Sequence, residues 1–299
     1  MDKVSIIIAT YHRYDLLPRA ILSAVNQTYP DIEIVVVDDN PADSPERAET
    51  QKIMQKITAE YSQVKYLQNA KNSGGAVTRN NGINVASGDY IAFLDDDDEY
   101  LPERIETQLA EMKKNGWDAA VMDGATYDEE DNLLSEKKQH LQNGMTQDEL
   151  MRVHMLYHIS GTNTFMFKAD KIREIGGFDD LPACQEYVLM QKAIEAGLTV
   201  GYVERTLVKN HISKGERLST SLKKIPAQNL LIEKKKKYFH LLTKKERRAV
   251  MCRHYGVLFN IYYKNKKYPQ ALASVFKCVM ASPADAWKWY QEYKNKLGA

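Results

Sequence analysis

Four consecutive aspartates, Asp95, Asp96, Asp97 and Asp98, follow the apolar run at residues 90–94. Such a run predicts a buried strand, and ligands of open α/β sheets bind just beyond the carboxyl ends of strands. Adjacent carboxylates repel one another unless a cation compensates their charge, and their oxygens are the ligands that Mg²⁺ and Mn²⁺ prefer. The pattern favours a divalent-metal site that shares its coordination with phosphates. The alternative is an acidic turn before a helix.

Polar residues also follow the other strands predicted in the first hundred residues. The first strand ends in residues 10–13 (Thr-Tyr-His-Arg) and the second in residues 38–39 (Asp-Asp), while residues 72–75 (Asn-Ser-Gly-Gly) precede a predicted helix. Glycine allows a ligand to approach the backbone closely, and the first turn of a helix offers amide donors to an anion. Together these residues predict a crevice for a nucleoside diphosphate with a bridging metal.

The elements that must position these residues alternate between strand and helix. Apolar runs predict strands at 4–9, 32–37, 64–67, 90–94 and 117–122, and helical spacing predicts helices at 15–27, 45–61, 76–86 and 102–115. This βαβα order predicts an α/β fold with a mostly parallel sheet and helices on both faces. From Lys223 onward the pattern is helical.

Charge divides the chain into an acidic body and a basic tail. Residues 1–221 hold 23 Lys/Arg and 36 Asp/Glu, whereas residues 222–268 hold 14 Lys/Arg and 2 Asp/Glu. This shift predicts a boundary near residue 220, with one domain at 1–220 and a helical region at 221–299.

The cysteines and the apolar runs bear on the compartment. Three cysteines, Cys184, Cys252 and Cys278, form neither a disulfide framework nor a zinc spacing, which favours a reducing compartment. Residues 4–9 are too short for the core of a signal peptide, and no apolar run approaches the roughly 20 residues of a membrane span.

The order and spacing of these motifs resemble glycosyltransferase family 2, whose members have the GT-A fold. The resemblance covers about residues 3–215 and rests on residues 4–11 (VSIIIATY), 34–39 (IVVVDD), 72–75 and 79–80 (NSGG and RN), 92–98 (AFLDDDD), 176–179 (GGFD) and 184–187 (CQEY). It implies a Rossmann-like GT-A domain over residues 1–220, and the inverting transfer of a sugar from a nucleoside-diphosphate sugar.

The resemblance also implies a nucleotide site. Its residues would be Thr10, Tyr11, Arg13, Asp38, Asp39, Asn72, Gly75, Arg79, Asp95 and Asp96. Thr10, Tyr11 and Arg13 would line the nucleoside pocket. Either Asp39 or Asp38 would bind the base, and Arg79 would lie near the base or the phosphates.

The implied cofactor is Mn²⁺ or Mg²⁺. Asp95 and Asp97 take the two carboxylate positions of the family's Asp-x-Asp motif, so Asp97 would bind the metal and Asp95 would lie near the ribose and the metal. Many relatives have serine where this chain has Asp96, which leaves the choice of ligand within the tetrad open. His211 matches a position where some relatives place a further metal or phosphate ligand; the alternative is a structural histidine.

Glu186 is the candidate general base. Many family members carry an aspartate before an aromatic residue here, and Glu186 precedes Tyr187. Glutamate can perform the same proton transfer with one more methylene of reach. The alternative is an ordinary first-turn glutamate that the helix dipole favours. Asp179 of the GGFD motif is a competing carboxylate and is expected to be structural.

The basic segment at 222–268 interleaves lysine and arginine with aromatic residues. It predicts either a solvated helical bundle or a surface that binds an anionic membrane. Nothing upstream resembles a nucleic-acid-binding module, so no nucleic-acid partner is expected.

The function expected from these features is transfer from a nucleoside-diphosphate sugar, most often UDP-linked in this family, to a glycan or lipid-linked acceptor during cell-surface polysaccharide synthesis. The expected location is the cytoplasm, with peripheral association at the inner face of the plasma membrane. Two alternatives are a sugar nucleotidyltransferase and a non-catalytic nucleotide-sugar-binding module. The first usually has a glycine-rich loop after its first strand, and this chain has no glycine at residues 9–13.

Overall fold

The computed structural model describes residues 1–159, 161–212 and 221–297. The chain divides into two compact units. The first comprises residues 1–147, 159–180 and 185–214, and the second comprises residues 148–158, 181–184 and 215–299.

The first unit is an α/β unit. Its elements are β1 (Val4–Thr10), α1 (Leu17–Val25), β2 (Ile32–Asp38), α2 (Pro45–Glu60), β3 (Val64–Gln68), α3 (Gly75–Val85), β4 (Tyr90–Asp95), β5 (Glu99–Tyr100), α4 (Arg104–Asn115), β6 (Ala119–Tyr127), β7 (Leu133–Lys137), β8 (Met166–Lys168), α6 (Ala169–Glu174), α7 (Gln185–Glu195) and β9 (Val200–His211). The remaining helices are α5 (Gln147–Tyr157), α8 (Lys224–Lys236), α9 (Lys244–Lys264), α10 (Tyr268–Ala281) and α11 (Pro283–Leu297).

Among the described residues, nine strands form one sheet in the order β3-β2-β1-β4-β8-β6-β9-β5, with β7 paired to β6. β1, β2, β3 and β4 are mutually parallel. Every residue of β2 is buried, as expected for a parallel strand that is covered on both faces. The predicted α/β class with a mostly parallel N-terminal sheet and a C-terminal helical region is confirmed.

The second half of the sheet is mixed, which the alternation of elements did not predict. β8 pairs antiparallel with both β4 and β6, and it separates these two strands. The last predicted strand of the alternation is longer than expected, because β6 runs from Ala119 to Tyr127. It continues into a hairpin with β7, whose turn is held by Asp128: its carboxylate accepts bonds from the backbone N–H groups of Glu130 and Asn132 at 3.0 and 2.8 Å.

Two local features hold the helices against the N-terminal strands. Ser44 caps α2 through a 3.1 Å bond from the Arg47 N–H, with Pro45 at the first helical position. Gly82 lets α3 approach β1, since a Cβ at this position would lie 2.5 Å from Cγ2 of Ile7. The cap defines where α2 begins, and Gly82 allows α3 to pack closely on the strands that end at the crevice.

The second unit contains α8 to α11 together with α5. Thr243 and Glu246 form a capping box at the start of α9. A disulfide joins Cys252 of α9 to Cys278 of α10. The sequence analysis expected no disulfide framework and did not foresee this single disulfide, which forms because the packing of α9 on α10 brings together two residues that are 26 positions apart. Cys184 is a free thiol.

The lysine run at residues 234–237 is not uniformly exposed. Lys235 is buried, and its Nζ donates a 3.0 Å bond to the carbonyl of Met155. Lys236 and Lys237 are exposed. Across the described parts of the chain, none of the helices has the combination of length and apolar character needed to cross a membrane.

Candidate active site

The parallel register brings three of the predicted polar segments to one edge of the sheet. Thr10 of β1 lies opposite Asp38 of β2, and Ala9 lies opposite Asp95 of β4. The strand order reverses direction at β1, because β2 and β3 follow on one side and β4 on the other. Ligands of open α/β sheets bind at such a switch point. The geometry therefore places the candidate residues where a ligand crevice is expected.

Within the tetrad, partly buried and fully buried carboxylates alternate. The side chains of Asp95 and Asp97 are 32% and 14% exposed, whereas that of Asp96 is 5% exposed and Asp98 is also buried. Asp95 is the last residue of β4, and a turn follows in which the Asp98 N–H bonds to the carbonyl of Asp95 at 3.1 Å. Asp95 and Asp97 are thus the more accessible pair.

Arginines neutralise much of the tetrad's charge. Arg13 Nη1 lies 3.0 Å from Asp96 Oδ1 and 2.8 Å from Asp97 Oδ2, and Arg79 Nη2 lies 2.6 Å from Asp95 Oδ1. Burial raises the pKa of Asp96 to about 6 against the opposing effect of Arg13. Burial also raises the pKa of Asp97, again opposed by Arg13. The carboxylate repulsion inferred from the sequence is therefore relieved in part by arginine.

Asn163 supports the tetrad, and the sequence analysis missed it. Its Oδ1 accepts a 2.7 Å bond from the Asp95 N–H, and its Nδ2 donates to Asp98 Oδ2. Asn163 is itself buried. It lies 68 residues from Asp95, with no motif around it, so only tertiary structure could identify it. Burial, followed by the charges of Asp95 and Asp97, raises the pKa of Asp98 well above its usual range.

His211 lies beside the tetrad but bonds to Glu99. Its Nε2 is 2.8 Å from Glu99 Oε1, and its backbone N–H donates to Asp98 Oδ1 at 2.7 Å. These contacts attach the end of β9 to the turn that follows β4.

The donor set suits a cation that needs few protein ligands. Among the residues that the structure describes, no group of three or more His, Cys, Asp or Glu side chains is arranged to hold a metal ion. The accessible carboxylates of Asp95 and Asp97 are hard oxygen donors, and Mg²⁺-type ions are commonly held by one or two carboxylates plus substrate phosphates. These residues fit that arrangement, and they do not form a closed protein cage.

The two aspartates after β2 have different environments. Asp38 is fully buried and bonds to Arg47 Nε at 3.2 Å, Tyr66 Oη at 2.5 Å and the Asn40 N–H at 2.9 Å. Asp39 instead accepts bonds from the backbone N–H groups of the glycine-containing loop.

The bonds to Asp39 come from Ser73 N at 2.8 Å and Gly74 N at 2.9 Å. Asp39 therefore fixes the loop that contains Asn72 and leads into α3 at Gly75. The structure thus connects the second strand to the loop that the sequence predicted as an anion cradle.

Arg79 links the tetrad to the helix of the candidate base. Its Nη2 donates to Asp95 Oδ1 at 2.6 Å, and its Nη1 donates to Gln185 Oε1 at 3.3 Å. Gln185 is the first residue of α7, and Glu186 lies in its first turn. Gly75 lies beside the same pair, since a Cβ there would be 3.0 Å from Arg79 Nη1 and 3.7 Å from Gln185 Oε1.

Glu186 is partly exposed and has a basic neighbour. Desolvation lowers the pKa of Lys137, and the charge of Glu186 opposes that effect. Asp179 differs, since its Oδ1 accepts a 2.8 Å bond from Lys192 Nζ, which also bonds to the carbonyl of Gly177. Asp179 therefore has a defined role in holding the loop after α6.

The end of β1 presents an aromatic and a basic side chain. Tyr11 is 45% exposed, and its N–H donates to Asp96 Oδ2 at 3.2 Å. His12 has a φ of 60° and donates its N–H to Asn40 Oδ1 at 2.9 Å. Thr10 is buried. The strand end thus bonds to both of the other strand ends, leaving the Tyr11 ring accessible.

Comparison with known proteins gives the family. Residues 5–176 match the sequence profile of glycosyl transferase family 2. A GalNAc(5)-diNAcBac-PP-undecaprenol beta-1,3-glucosyltransferase of Campylobacter jejuni is 36% identical over 137 residues, which are 46% of this chain and 42% of that protein. The putative colanic acid biosynthesis glycosyl transferase WcaA of Escherichia coli K12 is 28% identical over 274 residues, which are 88% of this chain and 89% of that protein.

A solved structure has the same fold. The crystal structure of S. aureus TarS 1–349 in complex with UDP-GlcNAc superposes with a TM-score of 0.66 and 18% sequence identity, covering 95% of this chain and 82% of that one. The matched profile spans more than half of the chain and includes the ends of β1, β2 and β4, the glycine loop and the tetrad. The chain belongs to glycosyltransferase family 2.

Proposed function

We propose that this protein is an inverting glycosyltransferase that moves a sugar from a UDP-sugar to a hydroxyl of a lipid-linked glycan. The observation that carries the proposal is the position of Arg79, whose guanidinium bonds to Asp95 at 2.6 Å and to Gln185 at 3.3 Å. One side chain thereby connects the strand-end carboxylates to the first turn of α7, which contains Glu186. A donor held by the tetrad would have its sugar near that turn.

The nucleotide would bind along the ends of β1 and β2. The accessible ring of Tyr11 can stack on a base, and Arg13 can exchange a carboxylate partner for a phosphate. Asp39 holds the loop with Asn72 and Gly75, so that loop is ordered before the donor arrives. Asp38 would contribute indirectly, because its buried bonds to Arg47 and Asn40 hold the end of β2 in place. TarS binds UDP-GlcNAc, which supports UDP as the nucleotide.

A divalent cation, Mn²⁺ or Mg²⁺, would be held by Asp97 with Asp95 and by the diphosphate. When bound, it would supply charge neutralisation for the leaving diphosphate. Arg79 and Arg13 are the residues of this chain that can add to that neutralisation, since both already lie within bonding distance of the tetrad. We assign His211 to support of the turn, because its Nε2 bonds to Glu99.

Glu186 would accept the proton of the acceptor hydroxyl as the oxygen attacks the anomeric carbon. The attack comes from the face opposite the leaving diphosphate, so the base must lie on the other side of the sugar from the tetrad. The contact of Arg79 with both Gln185 and Asp95 supports this assignment, because it puts a long side chain between the start of α7 and the tetrad. Asp96 and Asp98 are buried and could not reach an acceptor.

The acceptor and the location are proposals from the relatives. The Campylobacter relative is named for a GalNAc(5)-diNAcBac-PP-undecaprenol acceptor and the E. coli relative for colanic acid biosynthesis. By analogy with these two relatives, we propose that the acceptor is a glycan on a lipid carrier and that the product is a cell-surface polysaccharide. We also propose that the protein acts at the cytoplasmic face of the membrane. The basic segment at 222–268 would lie near that anionic surface.

Nucleotide binding by thermal shift tests the proposal. The parent protein is expected to be stabilised by UDP in the presence of Mn²⁺ more than by UDP or Mn²⁺ alone. Asp97→Ala should lose the Mn²⁺-dependent part, while Asp43→Ala, which removes an exposed aspartate from another loop, should retain it. Unchanged UDP affinity in Mn²⁺ for Asp97→Ala would remove Asp97 from the site. Nucleotide binding without transfer or hydrolysis of any UDP-sugar would favour a binding module instead.

A further inference from the structure

An apolar ridge runs along the outside of α10. Five large side chains are exposed there: Tyr268, Leu272, Phe276, Val279 and Met280. At 100° per residue they fall within about 120° of the helix circumference. Leu272, Phe276 and Met280 are 70%, 66% and 69% exposed, which is close to what an unpacked helix would show. These five residues are called the α10 ridge below.

The opposite side of α10 is already used for packing. Ala271, Ser274 and Cys278 are buried, and Cys278 is joined to Cys252 of α9 by the disulfide. The helix therefore cannot turn its ridge inward without breaking that packing. A helix with apolar side chains on two opposite sides normally has both sides covered, and a contiguous exposed apolar patch marks an interaction surface. The α10 ridge thus requires a partner.

The part of the chain that contains the ridge, from the end of α9 to α11, is aromatic and basic in sequence. The ring of Tyr263 lies 6.0 Å from that of Tyr268, and the rings of Trp287 and Tyr290 on α11 lie 5.7 Å apart. Trp287 is 64% exposed. Exposed lysines accompany them at Lys264, Lys266, Lys267, Lys277 and Lys288. Residues 259–291 contain one acidic residue, Asp285, which accepts a 2.5 Å bond from the Ser282 hydroxyl.

We infer that the α10 ridge is a membrane-docking surface, whose apolar side chains enter the outer part of an anionic bilayer while the surrounding lysines contact lipid phosphates. Tryptophan and tyrosine prefer that boundary because one end of each ring is apolar and the other polar. Helices with an apolar face and lysines beside it lie in this plane. No described helix could span the bilayer, so the contact is interfacial.

Charge distinguishes this partner from a second copy of the chain. Two ridges that faced each other would bring together two sets of five lysines with one aspartate each. That arrangement is repulsive, whereas an anionic lipid surface attracts every one of the lysines. The inference does not depend on the catalytic activity, because none of the ridge residues belongs to the tetrad or to the helix of Glu186.

Sedimentation with vesicles tests the inference on the full chain. Vesicles of phosphatidylcholine with about one-third phosphatidylglycerol should bind the protein. Pure phosphatidylcholine should bind it more weakly, because a surface without net negative charge does not attract the lysines. The triple variant Leu272→Ser, Phe276→Ser, Met280→Ser should bind at least about tenfold more weakly, since most of the inserted apolar area is removed. An unchanged partition coefficient for the triple variant would overturn the inference.

A control variant uses exposed leucines elsewhere. Leu133 and Leu134 on β7 are 53% and 52% exposed, so the double variant Leu133→Ser, Leu134→Ser removes exposed apolar surface from the other unit, although less than the triple variant removes. It should bind vesicles like the parent, and an equal loss would show that the ridge has no special role. All variants should keep the parent's circular dichroism spectrum and UDP affinity, because the substituted side chains are exposed.

Trp287 provides a second readout. Its fluorescence should shift to the blue with anionic vesicles and be quenched by lipids brominated near the headgroup, and Trp287→Phe should remove most of that signal. Light scattering should show a monomer for both the parent and the triple variant. A parent dimer that the triple variant breaks, together with no vesicle binding, would show that a second copy covers the ridge.

Discussion

Glu186 of α7 and Asp179 of the preceding loop are two carboxylates near the start of α7 in sequence, and their surroundings differ. Asp179 is bonded to Lys192 at 2.8 Å, and that lysine also holds the carbonyl of Gly177. Glu186 follows Gln185, which bonds to Arg79 at the crevice. A carboxylate committed to an ion pair is a poor proton acceptor, so the geometry favours Glu186 as the base.

We therefore expect Glu186→Gln to bind UDP and Mn²⁺ normally but to transfer sugar at least about a hundredfold more slowly, because the loss of a general base typically costs about 10²–10⁴-fold in rate. Steady-state transfer assays with titration calorimetry measure the two effects separately. Asp179→Asn is the control and should keep most of its turnover. If Asp179→Asn loses turnover while Glu186→Gln retains it, the base assignment must move to Asp179.

Asn163 is the residue whose importance only the fold reveals. Asn163→Ala would leave the buried Asp95 N–H and the Asp98 carboxylate each without one partner. Such a loss is expected to cost about 1–3 kcal/mol in the free energy of unfolding, and to weaken UDP binding because the tetrad turn loosens. Urea denaturation and calorimetry measure these effects. The control Asn26→Ala, at an exposed position after α1, should change neither the free energy of unfolding nor the UDP affinity. Parent-like values of both for Asn163→Ala would contradict the supporting role.

At the scale of elements, α8 contains a buried lysine that should make stability depend on pH. Lys235 lines a small cavity with His158, Arg253 and His254. Burial, with a smaller contribution from Arg253, lowers its pKa from 10.5 to about 7. The unfolded lysine keeps its proton up to about its ordinary pKa, so between these two values the unfolded state binds more protons. The free energy of unfolding should therefore rise as the pH rises from about 7 toward 10.

The expected slope approaches about 1.4 kcal/mol per pH unit for one proton. Urea denaturation of the parent and of Lys235→Met at pH 7, 8 and 9 measures it. The variant should show a flatter dependence, whatever its stability at any single pH. Lys236→Met, at the exposed neighbouring position, should keep the slope of the parent. Equal slopes for the parent and Lys235→Met would mean that another group titrates.

At the scale of the whole molecule, the chain joins an acidic segment of net charge −13 at residues 1–221 to a segment of net charge +12 at residues 222–268. Such a distribution should attract the second segment to anionic surfaces in a manner that salt weakens. The burial of Lys235 reduces what the lysine run can contribute to membrane attraction, since only Lys236 and Lys237 of the run are exposed.

The double variant Lys236→Gln, Lys237→Gln should bind anionic vesicles about 2 kcal/mol more weakly, or roughly thirtyfold, at low ionic strength. Raising the salt concentration should reduce the difference. The control Lys52→Gln, Lys56→Gln removes the same charge from exposed positions on α2 and should have little effect. Equal sedimentation of the parent and the first variant would favour a solvated bundle at this part of the chain.

The sequence by itself determined the strands β1 to β4, the capped start of α2, the glycine loop and the position of the tetrad. These features depend on local pattern: apolar runs, Ser44 before Pro45, and aspartates directly after a strand. Interactions between residues close in sequence determine where such elements begin and end, so the sequence alone is enough to locate them. The motif residues also suffice to give the family, because their order and spacing are properties of the chain.

Only the tertiary structure decided which of these residues contact one another. β8 lies between β4 and β6, and Asn163 bonds to Asp95, which is 68 residues away in sequence. Arg79 bonds both to Asp95 and to Gln185 of α7, which lies 106 residues further along the chain. Likewise the disulfide between Cys252 and Cys278 and the burial of Lys235 follow from helix packing. Contacts at these separations depend on the closure of long loops and on the packing of many other side chains, which no local pattern encodes.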